Sequence, residues 1–283
     1  MKELLVIGII LASLLILLLA YAAIISTSRK KKNKLSPFLN YRYAHRGLFG
    51  NGAPENSLLA FSRAVDGAYA IELDVRLSRD GTLVVFHDDD LLRMTGAEGL
   101  VKDKTLSELS ELRLNDTDEK IPTLDEVLSV VMGKVPLLVE IKEAQGSLDV
   151  TRKLVKRLKK YDGAYVIESF NPIALKEVRR LMPEAVVGIL SEHFTKTPEF
   201  KKPLYYFLQS MLTNVLSRPD FLAYNHKHST FFPFWLARLF GASAFAYTVK
   251  SAEDDAKALE KSFDTVIFEG YTPVSPYIND GDN

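Results

Sequence analysis

The sequence contains no cysteine among its 283 residues. This absence excludes a scaffold built on disulfides, a metal site made of thiolates and a cysteine nucleophile. Long low-complexity tracts are missing as well, and 47% of the residues are hydrophobic while 25% are charged. A composition of this kind predicts a folded domain with a large apolar core.

An excess of charge of either sign is also missing, because 36 basic and 36 acidic residues balance. Six of the basic residues and one of the acidic residues lie in the first 34 positions, so the remainder carries a net charge of −5. Domains that bind nucleic acids are usually basic, so we expect no nucleic-acid partner. No feature of the sequence indicates an obligate protein partner.

One long hydrophobic run is present over residues 4–25, interrupted by Ser13. Its length is sufficient for a helix to cross a bilayer. Ala20-Tyr21-Ala22 resembles a signal-peptidase site, but the run is longer than an ordinary signal segment and continues beyond that site. We therefore expect a retained N-terminal transmembrane helix over residues 1–28.

A basic segment follows the hydrophobic run directly. It contains Arg29 and four lysines up to Lys34, whereas Lys2 is the one basic residue that precedes the run. The positive-inside rule then predicts a single-pass membrane protein whose folded domain is cytoplasmic, with residues 29–38 as a basic juxtamembrane linker. The alternative is that the lysines only hold the helix end at the membrane surface.

Residues 39–278 form the predicted folded domain, close to the roughly 250 residues typical of a (β/α)8 barrel. Short apolar runs alternate with helical patterns, which is typical of a parallel sheet. The runs that predict strands are residues 41–45, 70–76, 137–141, 164–169, 185–190, 221–225, 244–249 and 265–269. Among the patterns that predict helices are residues 56–67, 123–132, 148–161, 172–182 and 252–263. Eight strands predict a closed barrel; an open doubly wound sheet is the alternative, but a glycine-rich phosphate loop is missing.

The second apolar run carries two acidic residues and is followed by a hairpin. Glu72 and Asp74 are two residues apart, so a strand projects both carboxylates from one face while its apolar residues occupy the other. Arg79-Asp80-Gly81 predicts a tight turn, and residues 83–86 return antiparallel because the connection is too short for a parallel crossover. The returning strand ends at His87, so two carboxylates and a histidine meet at one end of a hairpin.

Polar residues occupy the predicted carboxyl ends of the strands, where the active site of such a barrel lies. They are His45, Arg46, Glu72, Asp74, Glu140, Lys142, Glu168, Ser169, Asn225, Tyr247 and Glu269. The carboxylates of Glu72, Asp74 and Glu140 cannot be buried together unless a positive charge lies among them. A divalent cation bound through oxygen atoms, Ca²⁺ or Mg²⁺, is the simplest solution.

Several short motifs follow one another along the chain. They are Ala44-His45-Arg46-Gly47, Pro54-Glu55-Asn56-Ser57, Glu72-Leu73-Asp74, Val85-Phe86-His87-Asp88, Arg93-Met94-Thr95, Val101-Lys102-Asp103, Ile121-Pro122-Thr123-Leu124 and Val139-Glu140-Ile141-Lys142. With these motifs, residues 43–273 closely resemble the glycerophosphodiester phosphodiesterases. The resemblance implies a (β/α)8 TIM barrel with a small insertion after strand 2, at about residues 88–120.

The resemblance also implies a reaction, the metal-dependent hydrolysis of a glycerophosphodiester to an alcohol and glycerol 3-phosphate. The implied metal ligands for one divalent cation are Glu72, Asp74 and Glu140, the implied catalytic residues are His45 and His87, and the implied phosphate-binding residues are Arg46 and Lys142. Positive charge would offset the charge that develops on the phosphate, and the histidines would serve as acid and base. The nucleophile is either the neighbouring glycerol hydroxyl, which gives a cyclic phosphate that water opens, or water itself.

The sequence departs from the family pattern near its end. Relatives commonly have Trp-Thr-Val-Asn where this chain has Tyr247-Thr248-Val249-Lys250, and an aspartate where it has Glu269. We predict that Tyr247 binds the substrate, with a phenol in place of the indole. The three changes, at Tyr247, Lys250 and Glu269, are expected to affect the shape of the substrate more than bond cleavage.

Two alternative functions remain open. Residues 200–245 are rich in apolar and aromatic residues, which fits either a groove for an acyl chain or ordinary barrel helices packed on the strands. A groove would favour lysophospholipase D cleavage of single-chain lysophospholipids as substrates. The other alternative is a barrel that binds phospholipid head groups without catalysis, although both histidines and all three acids are present.

Three further polar sites have competing interpretations. Glu55 either reaches the metal or belongs to a helix start at which Asn56 is the N-cap. The acids at residues 88–90 are expected to lie in a loop rather than to bind metal. His226 and His228 are expected to be polar loop residues rather than a second metal site.

Overall fold

The computed structural model describes residues 1–28, 30–144 and 146–279. The strands within these residues are β1 (Tyr43–Ala44), β2 (Ala70–Leu77), β3 (Leu83–Val85), β4 (Leu137–Ile141), β5 (Tyr165–Ser169), β6 (Val187–Ser191), β7 (Phe221–Asn225), β8 (Ser243–Val249) and β9 (Thr265–Phe268). Every strand predicted for the barrel is found, and its bounds differ from the prediction by at most two residues.

Helices alternate with the strands. The α-helices within the described residues are α1 (Lys2–Ile25), α2 (Lys32–Leu35), α3 (Leu58–Asp66), α4 (Leu92–Thr95), α5 (Leu106–Ser110), α6 (Leu124–Val131), α7 (Asp149–Leu158), α8 (Pro172–Leu181), α9 (Pro203–Gln209), α10 (Asn214–Ser217), α11 (Phe232–Leu239) and α12 (Ala252–Lys261). Short 3-10 helices occupy Ser36–Asn40, Val101–Asp103, Phe194–Lys196, Pro198–Phe200 and His226–His228.

The strands form a closed parallel barrel in the order β1, β2, β4, β5, β6, β7, β8, β9. The barrel closes at β1, where Tyr43 pairs with Ala70 of β2 on one side and with Ile267 of β9 on the other. β3 lies outside this order and pairs antiparallel with β2, with Val75 opposite Val85. The predicted (β/α)8 TIM barrel and its hairpin are therefore confirmed, and the alternative prediction of an open doubly wound sheet is wrong.

Alternation along the strands divides the core into two layers. In β2, Ile71 and Leu73 pack outward against the helices. Inside the barrel, Tyr43, Phe221 and Phe245 pack together, with ring centroids 4.4 and 5.3 Å apart. The barrel interior is thus filled by side chains at its N-terminal end, as is usual for this architecture, and the polar groups meet at the C-terminal end.

Capping side chains set the starts of the helices. At α6, the Thr123 hydroxyl accepts a hydrogen bond from the Glu126 amide while the Glu126 carboxylate accepts one from the Thr123 amide, which is a capping box. At α3 the N-cap is Ser57 rather than the predicted Asn56. Asn56 instead has a positive φ of 55°, and its amide donates a hydrogen bond to Asp74. The prediction that Asn56 is the N-cap was wrong because its side chain binds Asp74 of β2 instead of the start of α3.

The insertion after the hairpin contains α4, the 3-10 helix Val101–Asp103 and α5. It has an apolar cluster of its own, in which Phe86, Leu91 and Met94 are buried. Arg29, the first residue of the predicted linker, lies outside the described residues. The domain limits of 1–28, 29–38 and 39–278, with an insertion at about 88–120, stay predictions.

The long N-terminal helix α1 is exposed along most of its length, and its last turn docks on the barrel. Ala22 and Ile25 are fully buried there. The Tyr21 hydroxyl donates a hydrogen bond to the Ser210 carbonyl, and the Asn214 amide donates one to the Ile25 carbonyl, both at 2.8 Å. The helix is long and apolar enough to cross a membrane.

Candidate active site

Three carboxylates meet at the C-terminal ends of β2 and β4. The strand register places Asp74 opposite Glu140, and Glu72 lies on the same face of β2 as Asp74. One oxygen atom from each of the three side chains lies within 4.8 Å of the other two. All three side chains are buried. The structure therefore brings together the three residues that the sequence predicts as metal ligands.

The crowding of these carboxylates perturbs their protonation. Burial and the neighbouring acids raise the pKa of Glu72 well above its usual range, and burial raises the pKa of Glu140 to about 7. Burial opposes ionisation of Asp74 as well, but Lys142 and other nearby cations hold the pKa of Asp74 below its usual range. The protein's own cations thus compensate for part of the negative charge of the group.

This donor set fits a divalent cation. Carboxylate oxygens are the ligands that Ca²⁺ and Mg²⁺ prefer, and both cations accept several such ligands from neighbouring residues. Three oxygens within reach of one point would be satisfied together by a cation, whose charge would also favour the ionised form of each acid. The residues present are therefore compatible with a bound Ca²⁺ or Mg²⁺ ion.

Lys142 lies beside the carboxylates at the end of β4. Its ammonium nitrogen is 2.7 Å from Glu140 Oε1 and 3.1 Å from Asp74 Oδ1. Burial lowers the pKa of Lys142, but the two carboxylates outweigh burial and raise it above its ordinary value. A permanently charged ammonium group therefore lines the same site as the acids.

A tight turn after β1 aims Arg46 at the carboxylates. Arg46 has a φ of 56° and Gly47 a φ of 83°, and a Cβ atom on Gly47 would lie 2.9 Å from the backbone of Ala60. Glycine is required where the backbone approaches so closely. The turn lets the backbone amide of Arg46 donate a hydrogen bond to Glu72 Oε2 at 2.9 Å. The Nε atom of the Arg46 side chain lies 3.5 Å from Asp74 Oδ2.

Glu55 lies beside this group and is held by two guanidinium groups. Arg46 donates to Glu55 Oε1 at 2.8 Å, and Arg93 donates to both carboxylate oxygens at 2.6 and 3.0 Å. Burial opposes ionisation, but Arg93 and Arg46 together lower the pKa of Glu55. Within the described residues, the group of mutually close carboxylates does not include Glu55.

His45 stands at the end of β1, between two acids. Its Nδ1 atom lies 2.5 Å from Glu269 Oε2, and its Nε2 atom lies 3.9 Å from Glu72 Oε2. Burial lowers the pKa of His45, while Glu269 acts in the opposite direction. Glu269 also contacts Lys250 Nζ at 2.5 Å, and the hydrogen bond from His45 lowers the pKa of Glu269 to about 2. Glu269, which the sequence analysis connects with the shape of the substrate more than with bond cleavage, therefore contacts a candidate catalytic residue directly.

His87 has a similar arrangement at the end of the hairpin. Its Nδ1 atom lies 2.6 Å from Asp88 Oδ1, and Asp88 Oδ2 accepts a hydrogen bond from Arg93 at 2.6 Å. Burial lowers the pKa of His87. Asp88 lies in a loop, as the sequence predicts, but it contacts the histidine directly. Sequence reasoning missed this role, although the acid follows His87 in the chain.

A pocket of about 170 Å³ opens between these groups, and it is lined by both histidines. Arg46, Lys142 and Tyr247 also line it, so all of the predicted site residues except Asp74 border this pocket. The Tyr247 hydroxyl donates a hydrogen bond to the Ser191 carbonyl at 2.9 Å, and burial raises the pKa of Tyr247 well above its usual range. The ring of Tyr247 is therefore a fixed, uncharged wall of the pocket.

Other polar strand ends lie behind or beside the pocket. Glu168 is buried at the end of β5, and burial together with Glu140 raises the pKa of Glu168 well above its usual range. Asn225 donates a hydrogen bond to Glu192, and His228 Nδ1 lies 3.8 Å from a Glu192 oxygen. His226 and His228 belong to the 3-10 helix after β7, away from the three carboxylates.

Comparisons with known proteins agree with this geometry. The model of the glycerophosphoryl diester phosphodiesterase family matches residues 45–269. A glycerophosphodiester phosphodiesterase of Caldanaerobacter subterraneus is 40% identical in an alignment of 159 residues that covers 52% of this chain and 65% of that protein. A glycerophosphodiester phosphodiesterase of Bacillus subtilis is 31% identical in an alignment of 189 residues that covers 59% of this chain and 64% of that protein. The chain thus spans just under two thirds of the length of these relatives.

Solved structures are similar over a larger share of both chains. A phosphodiesterase of Oleispira antarctica, solved in complex with the product sn-glycerol-3-phosphate, has 27% sequence identity and a TM-score of 0.70, and the match covers 83% of this chain and 95% of that one. A glycerophosphodiester phosphodiesterase of Thermotoga maritima has 29% identity and a TM-score of 0.64, with 82% and 95% covered.

Proposed function

We propose, from the premise that this chain belongs to the glycerophosphoryl diester phosphodiesterase family, that it hydrolyses glycerophosphodiesters to an alcohol and glycerol 3-phosphate. The observation that carries the proposal is the meeting of three buried carboxylates and two carboxylate-bound histidines around one pocket. The similar Oleispira antarctica phosphodiesterase was solved with sn-glycerol-3-phosphate as its product, which supports the same product class here.

In this proposal Glu72, Asp74 and Glu140 hold one divalent cation, Ca²⁺ or Mg²⁺. When bound, such a cation stabilises the negative charge that develops on a phosphate during displacement. Arg46 and Lys142 line the same pocket and add fixed positive charge at the phosphate oxygens. The Tyr247 ring bounds the pocket and contacts the remainder of the substrate.

His45 and His87 exchange protons with the substrate through their Nε2 atoms, since their Nδ1 atoms are bound to carboxylates. One accepts the proton of the nucleophile, and the other protonates the alkoxide as it leaves. The nucleophile is the neighbouring glycerol hydroxyl, with a cyclic phosphate that water then opens, or it is water. Glu269 and Asp88 act as positioning residues that orient the two rings.

The enzyme is also proposed to be a single-pass membrane protein anchored by α1, with its catalytic domain on the cytoplasmic side. The contacts of the last turn support retention of the helix. Ala22, at the end of the segment that resembles a signal-peptidase site, is fully buried against the barrel, and Ile25 is held by Asn214. The lysines that follow support the orientation.

The reaction is tested with the full-length protein and glycerophosphocholine, in Mg²⁺, in Ca²⁺ and in excess EDTA, by measuring release of glycerol 3-phosphate. His45→Ala and His87→Ala should each lower kcat by about 100-fold or more, the usual contribution of proton transfer. His226→Ala, which lies outside the pocket, is the matched control and should leave kcat unchanged. Activity of either variant within about tenfold of the parent would remove that histidine from catalysis.

The same experiment separates catalysis from the third candidate function, binding of phospholipid head groups without turnover. Retention of both histidines and all three acids favours catalysis. Binding of glycerophosphocholine without release of product, in every metal tested, would reject the hydrolase and favour the binding protein. Full activity in excess EDTA would reject the metal site and leave the histidine chemistry in place.

A further inference from the structure

A second cavity, of about 270 Å³, adjoins the catalytic pocket. Phe170 and Leu190 line both spaces, so the two are neighbours that share a wall. We call this second space the apolar cavity, because most of the side chains that line it are apolar or aromatic. They include Ile189, Phe194, Phe200, Tyr205, Leu208 and Met211.

A row of aromatic rings leads from the catalytic pocket into the apolar cavity. The Phe170 ring lies edge-on to Tyr247 at 6.2 Å, and it lies 6.2 Å from Phe194. Phe194 in turn lies 5.7 Å from Tyr205. Because these rings follow one another, they provide a continuous apolar wall between the two spaces. The polar part of the cavity lining consists of Ser191, Glu192, Thr213 and Asn214.

The other end of the apolar cavity lies where the membrane helix docks. Asn214 lines the cavity, and its amide donates the hydrogen bond to Ile25 at the end of α1. On the same side, Tyr21 of α1 stacks on Phe232, with ring centroids 6.4 Å apart. Phe232 and Trp235 are each 50% exposed. Tryptophan and tyrosine side chains, such as those of Trp235 and Tyr21, are enriched at the surface of a membrane.

Helix α9, which forms one wall of the apolar cavity, does not pack like an ordinary barrel helix. Gln209 is the one buried residue in α9, all of whose residues are described. Leu204, Tyr206 and Phe207 are at least half exposed, while Tyr205 and Leu208 line the cavity. The apolar residues of α9 therefore face the outside and the cavity, and the interpretation of this segment as a core helix does not hold for α9.

The volume of the apolar cavity suits one hydrocarbon chain. An apolar cavity of about 150 Å³ is large enough to bind benzene. The cavity here is larger, and its mostly apolar lining favours a chain that is apolar over most of its length. The space is bounded at one end by the catalytic pocket and at the other by the end of a membrane helix. An occupant that is apolar, narrow and attached to a phosphodiester fits both ends.

We propose that the apolar cavity binds the acyl chain of a single-chain lysophospholipid while the catalytic pocket cleaves its phosphodiester. This inference rests on the proposed function and names the class of its substrate. The bond between phosphorus and the head-group oxygen breaks, water supplies the new oxygen on phosphorus, and a proton goes to the departing alcohol. The products are an acylglycerol phosphate and the free head-group alcohol, and a one-chain lipid keeps the glycerol hydroxyl that a cyclic intermediate requires.

The test compares glycerophosphocholine with lysophosphatidylcholines whose acyl chains are short enough to stay monomeric. The full-length protein is held in nanodiscs of a two-chain phospholipid, and release of choline is measured. We expect kcat/KM to rise by about fourfold for each added methylene until the cavity is filled, as the transfer of a methylene from water predicts. Glycerophosphocholine, which has no acyl chain, is the reference.

Leu208→Trp fills the cavity and should remove the dependence on chain length, with kcat/KM for glycerophosphocholine unchanged. Leu204→Trp is the matched control, because Leu204 lies on the same helix and is 60% exposed outside the cavity. If Leu208→Trp does not fold, Leu208→Asn places an amide at the same position, keeps the branched shape of the side chain and should give the same selective loss.

Two outcomes would overturn the acyl site, and a third would reject the proposed function. Cleavage of glycerophosphocholine with no dependence on chain length would overturn the acyl site and leave the proposed function standing. Equal losses for both substrates in Leu208→Trp and in Leu208→Asn would also overturn it, because they would indicate a structural role for Leu208. Failure to cleave any of the diesters would reject the proposed function itself.

Discussion

Each candidate catalytic histidine has a carboxylate on its Nδ1 atom. Glu269 lies 2.5 Å from His45, and Asp88 lies 2.6 Å from His87. A carboxylate in this position holds the ring proton on Nδ1 and orients the ring, which leaves Nε2 as the nitrogen that exchanges a proton with substrate. Two short contacts therefore select the tautomer of both side chains.

The carboxylate of Glu269 can be replaced without changing the size of the side chain. Glu269→Gln removes the charge that supports a protonated His45 during the reaction, so we expect kcat to fall by roughly 10-fold to 100-fold with little change in KM. Steady-state kinetics on glycerophosphocholine measure both constants, and the melting temperature shows whether the fold is retained.

Glu269→Asp is the matched variant, because it keeps the carboxylate and shortens the side chain by one methylene. It should retain more kcat than Glu269→Gln. A purely structural role for Glu269 predicts instead that both variants lower the melting temperature and that kcat follows the amount of folded protein.

At the scale of elements, the insertion is joined to the active site through α4. Arg93 of this helix donates hydrogen bonds to Asp88 and to both oxygens of Glu55. Glu55 also binds Arg46. Contacts between neighbouring side chains therefore connect His87 to Arg46 by way of Asp88, Arg93 and Glu55. The insertion thus contributes to the geometry of the site through Arg93.

Arg93→Gln should therefore lower kcat by about tenfold or more, since it removes the support of a positioning residue. Arg113→Gln is the control in the same insertion, because Arg113 is exposed and its side chain bonds to the carbonyls of Ser110, Glu111 and Leu112. Equal activity of the two variants would show that Arg93 does not position the site.

At the scale of the whole molecule, the buried carboxylates couple metal binding to stability. Three acids within 4.8 Å of one another repel when ionised, and the unfolded chain does not hold them together. A cation that binds the folded state in preference to the unfolded state raises the free energy of unfolding.

Saturating Ca²⁺ or Mg²⁺ should therefore raise the melting temperature. At about 100 times Kd the gain is about 2.7 kcal/mol, or roughly 5 to 10 °C for a domain of this size. Glu72→Gln should abolish the increase, whereas Glu98→Gln, at an exposed acid of the insertion, should leave it intact. An equal increase in both variants would mean that the ion binds elsewhere.

The orientation in the membrane is a second property of the whole molecule, and the absence of cysteine makes it simple to measure. Ser129→Cys places one thiol on the exposed face of α6, and Lys2→Cys places one at the first residue of α1. With the catalytic domain in the cytoplasm, a membrane-impermeant maleimide should label Lys2→Cys in intact cells and Ser129→Cys only after lysis. The reverse pattern would place the catalytic domain outside.

Much of the fold follows from local patterns. Alternation with a period of two predicts which face of a strand is apolar, and the eight repeats of strand and helix predict a barrel because such units pack in one way around a closed sheet. The N-cap of α3 was predicted one residue too early, at Asn56, because that side chain bonds to Asp74 on β2 rather than to its own helix.

The sequence by itself determined which polar groups of the hairpin meet at the candidate site, because the spacing of Glu72 and Asp74 and the hairpin leading to His87 are local and need no distant contact. Only the tertiary structure decided which residues hold the histidines and what lies beside the pocket. Glu269 reaches His45 across 224 positions of sequence because β9 closes the barrel against β1. The apolar cavity likewise exists only where α9 and the loops around it meet β6 and the end of α1, so no local pattern distinguishes its lining from core.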